Sequence, residues 1–168
     1  GIELHQLQET IERTNQKLYE ARAHRVWPSR DEKVLTSWNG LMLRAFAEGA
    51  VALDRPDLLE TAVRNARFLR DNLYKDGQLL RSYKEGEAKL PGFLEDYAYL
   101  TDALISLYEA TFDVEWLQWA DELMQTMINE FADENGGFFD TAATHTGLIT
   151  RPKEFVDNAV PSGNSVAA

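Results

Sequence analysis

The feature that most constrains this chain is an internal repeat of about 59 residues. A nearly all-apolar segment, a one-sided apolar segment and a Gly-containing turn recur in the same order. Asp54 falls on Asp113, and the Asp76-Gly77 pair on Asn135-Gly136. Leu79-Leu80 falls on Phe138-Phe139, and Thr36-Ser37-Trp38 on Glu95-Asp96-Tyr97. Four matches in one register mark a repeat architecture, in which each unit buries its apolar face against the next.

The apolar spacing names the elements. Leu41, Met42, Leu43, Ala45, Phe46, Ala47, Ala50, Val51 and Leu53 point all round a helix, with Thr36 or Ser37 as its expected cap. Leu58, Leu59, Ala62, Val63, Ala66, Leu69 and Leu73 form one stripe of a helix opened by Pro56. The second copy has an all-apolar helix from Leu94 to Tyr108. A striped one follows through Trp116, Trp119, Ala120, Leu123, Met127 and Phe131. An all-apolar helix beside a half-polar one is what a two-layer ring of helical hairpins needs, because the inner layer has neighbours on both flanks while the outer layer meets solvent. The fold class expected is therefore all-α, a partial α/α toroid of helical hairpins with short β-hairpins in its loops, near 78–84 and 137–150. One domain over 1–168 would contain an amphipathic helix (1–24), a first repeat (36–92), a second repeat (95–150) and the start of a third inner helix (162–168). The opening helix carries Leu4, Leu7, Ile11, Leu18 and Ala21 on one face and ends before Trp27-Pro28; its stripe is too short for a coiled coil and suits packing on a neighbouring helix.

Charge narrows the partners. A net charge of −11 with no basic patch argues against nucleic acid and against anionic membrane surfaces. With no Cys there is no disulfide or thiolate metal site, and no apolar stretch reaches the ~20 residues of a membrane span. A soluble, cytoplasmic protein is expected. The start at Gly1 and the end in a nascent helix suggest a piece of something larger, whose open apolar flanks would favour self-association.

Several strings together resemble a known family: Asp31-Glu32-Lys33-Val34-Leu35-Thr36-Ser37-Trp38-Asn39-Gly40-Leu41-Met42, Gly92-Phe93-Leu94-Glu95-Asp96-Tyr97-Ala98, Gly136-Gly137-Phe138-Phe139-Asp140-Thr141, Arg151-Pro152-Lys153-Glu154 and Pro161-Ser162-Gly163-Asn164-Ser165. They are similar to the YyaL-type family, also represented by the spermatogenesis-associated thioredoxin-fold proteins. The resemblance implies a C-terminal (α/α)6 toroid, similar to six-hairpin glycosidases and N-acylglucosamine 2-epimerase, behind a thioredoxin-like domain that this chain lacks. It implies no particular catalytic residues, and any dithiol chemistry would belong to that other domain.

In a ring of hairpins, the loops that lead into the inner helices gather at one end of a central funnel, and the family-like strings lie on those loops. Glu95, Asp96 and Asp140 are the candidate acid and base groups, since glycoside chemistry commonly needs two carboxyls; Glu154 and Asp157 are further candidates for the second. The alternative use of Glu95 and Asp96 is to cap a helix N-terminus, where negative charge is favoured. Trp38, Phe93, Tyr83 and Tyr97 offer aromatic platforms, or core. Arg81, Arg151 and Lys153 suit a ligand anion, or pairing with Asp140 or Glu154. Asn39, Glu154, Ser162 and Asn164 complete the ligand-binding candidates. Of the three histidines only His145 lies near the expected mouth, so no epimerase-type His pair is visible. No phosphate-binding Gly loop or metal-ligand spacing occurs, and no metal or cofactor is expected. Two readings stand: a carbohydrate-binding or carbohydrate-processing funnel, hydrolase-like or epimerase-like, and a non-catalytic scaffold supporting the thioredoxin-like domain.

Overall fold

The computed structural model describes residues 3–168; Gly1, read above as a sign of a larger protein, lies outside them. The chain divides into two compact units, Gly1–Glu32 and Lys33–Ala168.

The first unit is built on helix α1 (Leu4–Ala23). Thr10 and Thr14 donate their hydroxyls to the carbonyls of Gln6 and Thr10, one turn back, and Gln16 donates to Glu20 at 2.7 Å. The Trp27 indole N–H donates to the Ala23 carbonyl at 3.2 Å, closing the helix just before Pro28. Leu4, Leu7, Ile11 and Leu18 form its exposed apolar stripe.

The second unit begins with β1 (Val34–Leu35) and the hairpin of α2 (Thr36–Ala52) and α3 (Pro56–Leu73). Strands β2 (Tyr74–Lys75), β3 (Gln78–Lys84) and β4 (Glu87–Pro91) follow. The second helical hairpin is α4 (Leu94–Thr111) and α5 (Val114–Glu130), and α6 (Gly163–Ala167) ends the chain. Helix α4 packs against α2, α5 and α6, and α2 against α3. The inner layer is thus α2-α4-α6 and the outer layer is α3 and α5, an arc of a two-layer α/α toroid.

Burial follows the layers. Helix α4 is buried nearly all round, from Leu94 through Leu107, because it has a neighbour on each flank and a partner behind. Helix α2 was expected to be equally enclosed, yet its Trp38, Met42 and Val51 are exposed, while Leu43, Ala47 and Ala50 face α4 and α3. The outer helices bury one stripe each, Ala62, Ala66, Leu69 and Leu73 on α3 and Trp116, Trp119, Leu123 and Met127 on α5. Truncating either buried Trp to Ala would remove roughly 3–5 kcal/mol of packing.

The two copies diverge at their joints. Asp54 adopts a left-handed conformation between α2 and α3, whereas its repeat mate Asp113 N-caps α5 by accepting from the Glu115 N–H at 3.2 Å. Phe112 is the left-handed residue at the second joint. The hairpins diverge further. Asp76 and Gly77 have φ of 52° and 77°, as a tight two-residue turn requires, and β2 pairs antiparallel with β3 through Tyr74 and Leu79. β3 also pairs with β4, Ser82 opposite Lys89, and with β1, Leu35 opposite Ser82. At the corresponding Asn135-Gly136 the expected strand pair over 137–150 does not form: a single bridge joins Ala132 to Phe138. The stretch Thr141 to Gly147 lacks alternating apolar residues, so no ladder has a face to bury. Side chains hold this loop instead.

Candidate functional site

The loop from Phe131 to Ser162 is tied to the inner helices by a small set of bonds. The Leu94 N–H, at the first turn of α4, donates to the Asp140 carbonyl at 2.9 Å, and the Asp140 N–H donates to the Pro152 carbonyl at 2.9 Å. Asn164 accepts from the Phe138 N–H at 2.7 Å and donates to the carbonyls of Phe138 and Glu154 at 2.9 and 3.0 Å. Asp157 accepts from the Ser162 N–H and the Ser165 hydroxyl at 2.8 and 2.7 Å. Arg151 donates to the carbonyls of Thr141 and Glu130 and lies 4.1 Å over the Phe139 ring. Lys153 pairs with Asp133 and donates to the Gly136 carbonyl.

These ties shape a cleft of about 380 Å³ at the N-terminal ends of α4 and α6. Glu95, Asp140, Glu154 and Ser162, all picked from the sequence, line it together with Phe93 and Thr141. The carboxyls are electrostatically coupled. The Glu154 N–H donates to Asp140 Oδ1 at 3.0 Å. Burial pushes the Asp140 carboxyl above its ordinary value against that bond's pull, and the negative charges of Glu154 and Glu95 add to the rise. The apolar walls come from Phe93, Val156, Val160 and Pro161. Thr141, 7% exposed, has a hydroxyl oxygen without a hydrogen-bond partner.

Asp96 stands immediately behind the cleft, with no exposed surface. Its Oδ1 accepts from the Ser37 N–H at 2.9 Å, and its Oδ2 accepts from the Phe93 N–H at 2.9 Å and from Arg81 at 3.0 Å. Burial is the largest influence and raises the Asp96 pKa; the bonds to Phe93 and Ser37 and the Arg81 charge pull the other way. Arg81 also reaches Glu95 at 2.9 Å and lies 4.5 Å over the Phe93 ring. Its own burial opposes its charge, but Asp96 and Glu95 outweigh that and hold its pKa high. Asp96, in the first turn of α4, reaches back to the Phe93 N–H, the carboxylate half of a capping box, so it serves the start of α4 and the start of α2 at once. Thr36, expected as a cap, instead donates its hydroxyl to the Leu80 carbonyl at 2.6 Å, because the acceptor for the α2 N-terminus is already supplied by Asp96.

The remaining sequence candidates lie elsewhere. Trp38 is 66% exposed on α2. Asn39 donates to the Leu35 carbonyl and accepts from Asn65 of α3, at 2.8 and 2.9 Å. Tyr97 is in the core, its hydroxyl accepting from the Leu79 N–H at 2.9 Å and its ring 5.2 Å from that of Phe131. Tyr83 packs edge-on against Phe68. Arg151 and Asn164 act on the walls of the cleft, as described, and His145 lines a separate cavity of about 220 Å³ with Glu130 and Gln78. Thr141 had no signal in the sequence beyond its place after Asp140. Among the described residues no cluster of His, Cys, Asp and Glu has metal-binding geometry, and no helix is long and apolar enough to cross a membrane.

No family model matches the sequence. Among solved structures, the chain shares its fold with a sugar epimerase from a ruminal bacterium, at a TM-score of 0.61 and 20% identity over 67% of this chain and 30% of that one. It also resembles cellobiose 2-epimerase from Spirochaeta thermophila, at a TM-score of 0.63 and 20% identity over 80% of this chain and 35% of that one. Among curated proteins it is 36% identical over its whole length to human spermatogenesis-associated protein 20 and 37% to the mouse protein, in each case spanning 23% of the relative. An uncharacterised protein of Caenorhabditis elegans is 30% identical over 99% of this chain and 24% of its own length. In fold the chain is thus an α/α toroid, and in sequence it is similar to the spermatogenesis-associated protein 20 proteins, of whose length it spans about a quarter.

Proposed function

We propose that the cleft at the α4 and α6 N-termini binds a carbohydrate and exchanges protons with it through Asp140 and Glu154, with Glu95 as the third carboxyl. The observation that carries this is the convergence of Glu95, Asp140 and Glu154 on one apolar-walled cleft at the inner-helix mouth of a toroid. The solved structures of like fold are sugar epimerases, and a third, similar at a TM-score of 0.51, is a D-mannose isomerase. That shared fold supports sugars as the ligand class without assigning a reaction.

Within this reading the groups divide by environment. Asp140, whose carboxyl is raised by burial and by its acidic neighbours, suits the proton donor. Glu154 is exposed and suits the acceptor. Asp96 is a positioning residue: fully enclosed, it fixes the start of α4 and the guanidinium that holds Glu95.

The test is a thermal-shift screen of the protein against mono- and oligosaccharides, since a ligand that binds only the folded state raises its stability by mass action. A shift that persists in Asp140→Asn while turnover disappears would support acid-base chemistry at Asp140. No shift with any sugar would favour the scaffold reading, to which the commitment of Asp96 and Arg81 to capping and pairing already lends support.

A further inference from the structure

The charge pattern of the cleft goes beyond the general ligand class. Its charged lining consists of the three acids Glu95, Asp140 and Glu154. Each nearby cation is committed elsewhere. Arg81 bridges Glu95 and Asp96, Lys153 pairs with Asp133, and Arg151 is bound to the carbonyls of Thr141 and Glu130. Glu95 therefore carries a partial counter-charge behind the wall, whereas Asp140 accepts only from the Glu154 N–H and Glu154 only from the Val156 N–H, each at 3.0 Å, with no cation on either.

A second observation is independent of charge. Thr141 belongs to this same lining, and its hydroxyl oxygen is enclosed and unpartnered; a buried polar atom of that kind is satisfied by a ligand atom or an ordered water. Phe93, Val156 and Val160 add apolar surface for the face of a ring. A ligand matched to the acids and the apolar wall offers an ammonium to the one and an apolar ring face to the other.

We infer, resting on the carbohydrate reading above, that the cleft selects sugars by charge: an amine-bearing sugar binds ahead of its neutral parent, and phosphorylated or carboxylated sugars are excluded. An ammonium relieves the repulsion among the carboxylates and gains charge-assisted hydrogen bonds. A phosphate placed there meets like charge with no free cation to receive it, which is discrimination by repulsion as well as attraction.

The test is calorimetric titration of the protein with glucosamine and galactosamine, with glucose and galactose, and with glucose 6-phosphate, at about pH 6.5, where an amine of this kind is protonated. Ethanolamine serves as an amine without a sugar ring. The expected result is at least about tenfold tighter binding of an amino sugar than of its parent, no measurable binding of the phosphate, and an amino-to-neutral ratio that narrows in Glu154→Gln and in raised salt. Equal affinity for amino and neutral sugars, or binding of the phosphate, would overturn the charge selection while leaving the carbohydrate reading in place. Ethanolamine binding as tightly as glucosamine would overturn the sugar and leave only a cation site. Silence with every probe would overturn both.

Discussion

The Ser37 N–H donates to Asp96 Oδ1 at 2.9 Å, joining residues that hold the same place in the two repeats, 59 positions apart. The other oxygen takes the Phe93 N–H and Arg81, so one enclosed carboxylate caps two inner helices and neutralises a guanidinium. Asp96→Asn keeps the shape but turns one acceptor into a donor, facing either Ser37 or the Phe93-Arg81 pair with the wrong polarity. The expected cost is about 2–4 kcal/mol, as for other broken buried charge pairs. Urea denaturation measures it, and a loss under about 0.5 kcal/mol, the range of an ordinary surface change, would contradict the double cap.

The same contact plane sets a prediction for two glycines of α2. A Cβ on Gly40 would stand 2.8 Å from the Tyr99 carbonyl carbon and 2.9 Å from the Leu100 nitrogen, both backbone, so α2 and α4 cannot separate locally to make room. A Cβ on Gly49 would meet only the Leu58 side chain, at 3.7 Å. Gly40→Ala should destabilise by about 1–3 kcal/mol through overpacking. Gly49→Ala should stabilise by roughly 0.5–1 kcal/mol through helix propensity. Opposite shifts in melting temperature would confirm the close approach at Gly40.

Asn164 tests how the cleft wall is held. It is 6% exposed and spends its amide on three backbone groups, two on Phe138 and one on Glu154. Asn164→Ala strands them and should cost about 1–3 kcal/mol. It should also release the Glu154 strip, so ligand affinity should fall by more than the loss of stability alone explains. Asn164→Asp keeps the acceptor for the Phe138 N–H but sets negative charge against two carbonyls, and should be no better than Ala. Comparing both variants by urea denaturation and by ligand titration separates the two effects.

Much of this was legible because burial writes itself into the spacing of apolar residues. The alternation of α2 with α3 and α4 with α5 followed from stripes alone, and the Asp76-Gly77 turn from the need for positive φ. The second turn misled, because Asn135-Gly136 carries the same turn chemistry but is followed by no alternating strand. Asp54 and Asp113 hold equal positions in the repeat yet take different backbone roles, one left-handed and one an N-cap. At the site, the sequence could place Glu95, Asp96 and Tyr97 at a helix start but not aim them. Successive residues of an α-helix point about 100° apart. Glu95 therefore lines the cleft, Asp96 turns back to α2 and Tyr97 enters the core. The unpartnered Thr141 hydroxyl depends on what the Arg151 loop places around it, which no local pattern encodes.

Acidity should act on this region in two opposite directions. Asp157 is held below its ordinary value by the Ser162 N–H and the Ser165 hydroxyl, and Asp133 by Lys153 and the Asn135 N–H. Depressed carboxylates contribute stability above their unfolded value of about 3.9 and lose it as the pH falls through the lower folded value. Asp96 and Asp140 have raised folded values, so their contribution is present below the unfolded value and is lost as the pH rises through the folded one. As the pH falls, Asp96 and Asp140 thus stabilise the fold first, and below about pH 4 the loss at Asp133 and Asp157 takes over. Urea midpoints measured across this range should show the acid-side gain shrinking in Asp140→Asn and the final loss shrinking in Asp157→Asn. An Asp140→Asn profile parallel to that of the parent would show that this carboxyl is not raised, and would remove the proton donor from the proposed site.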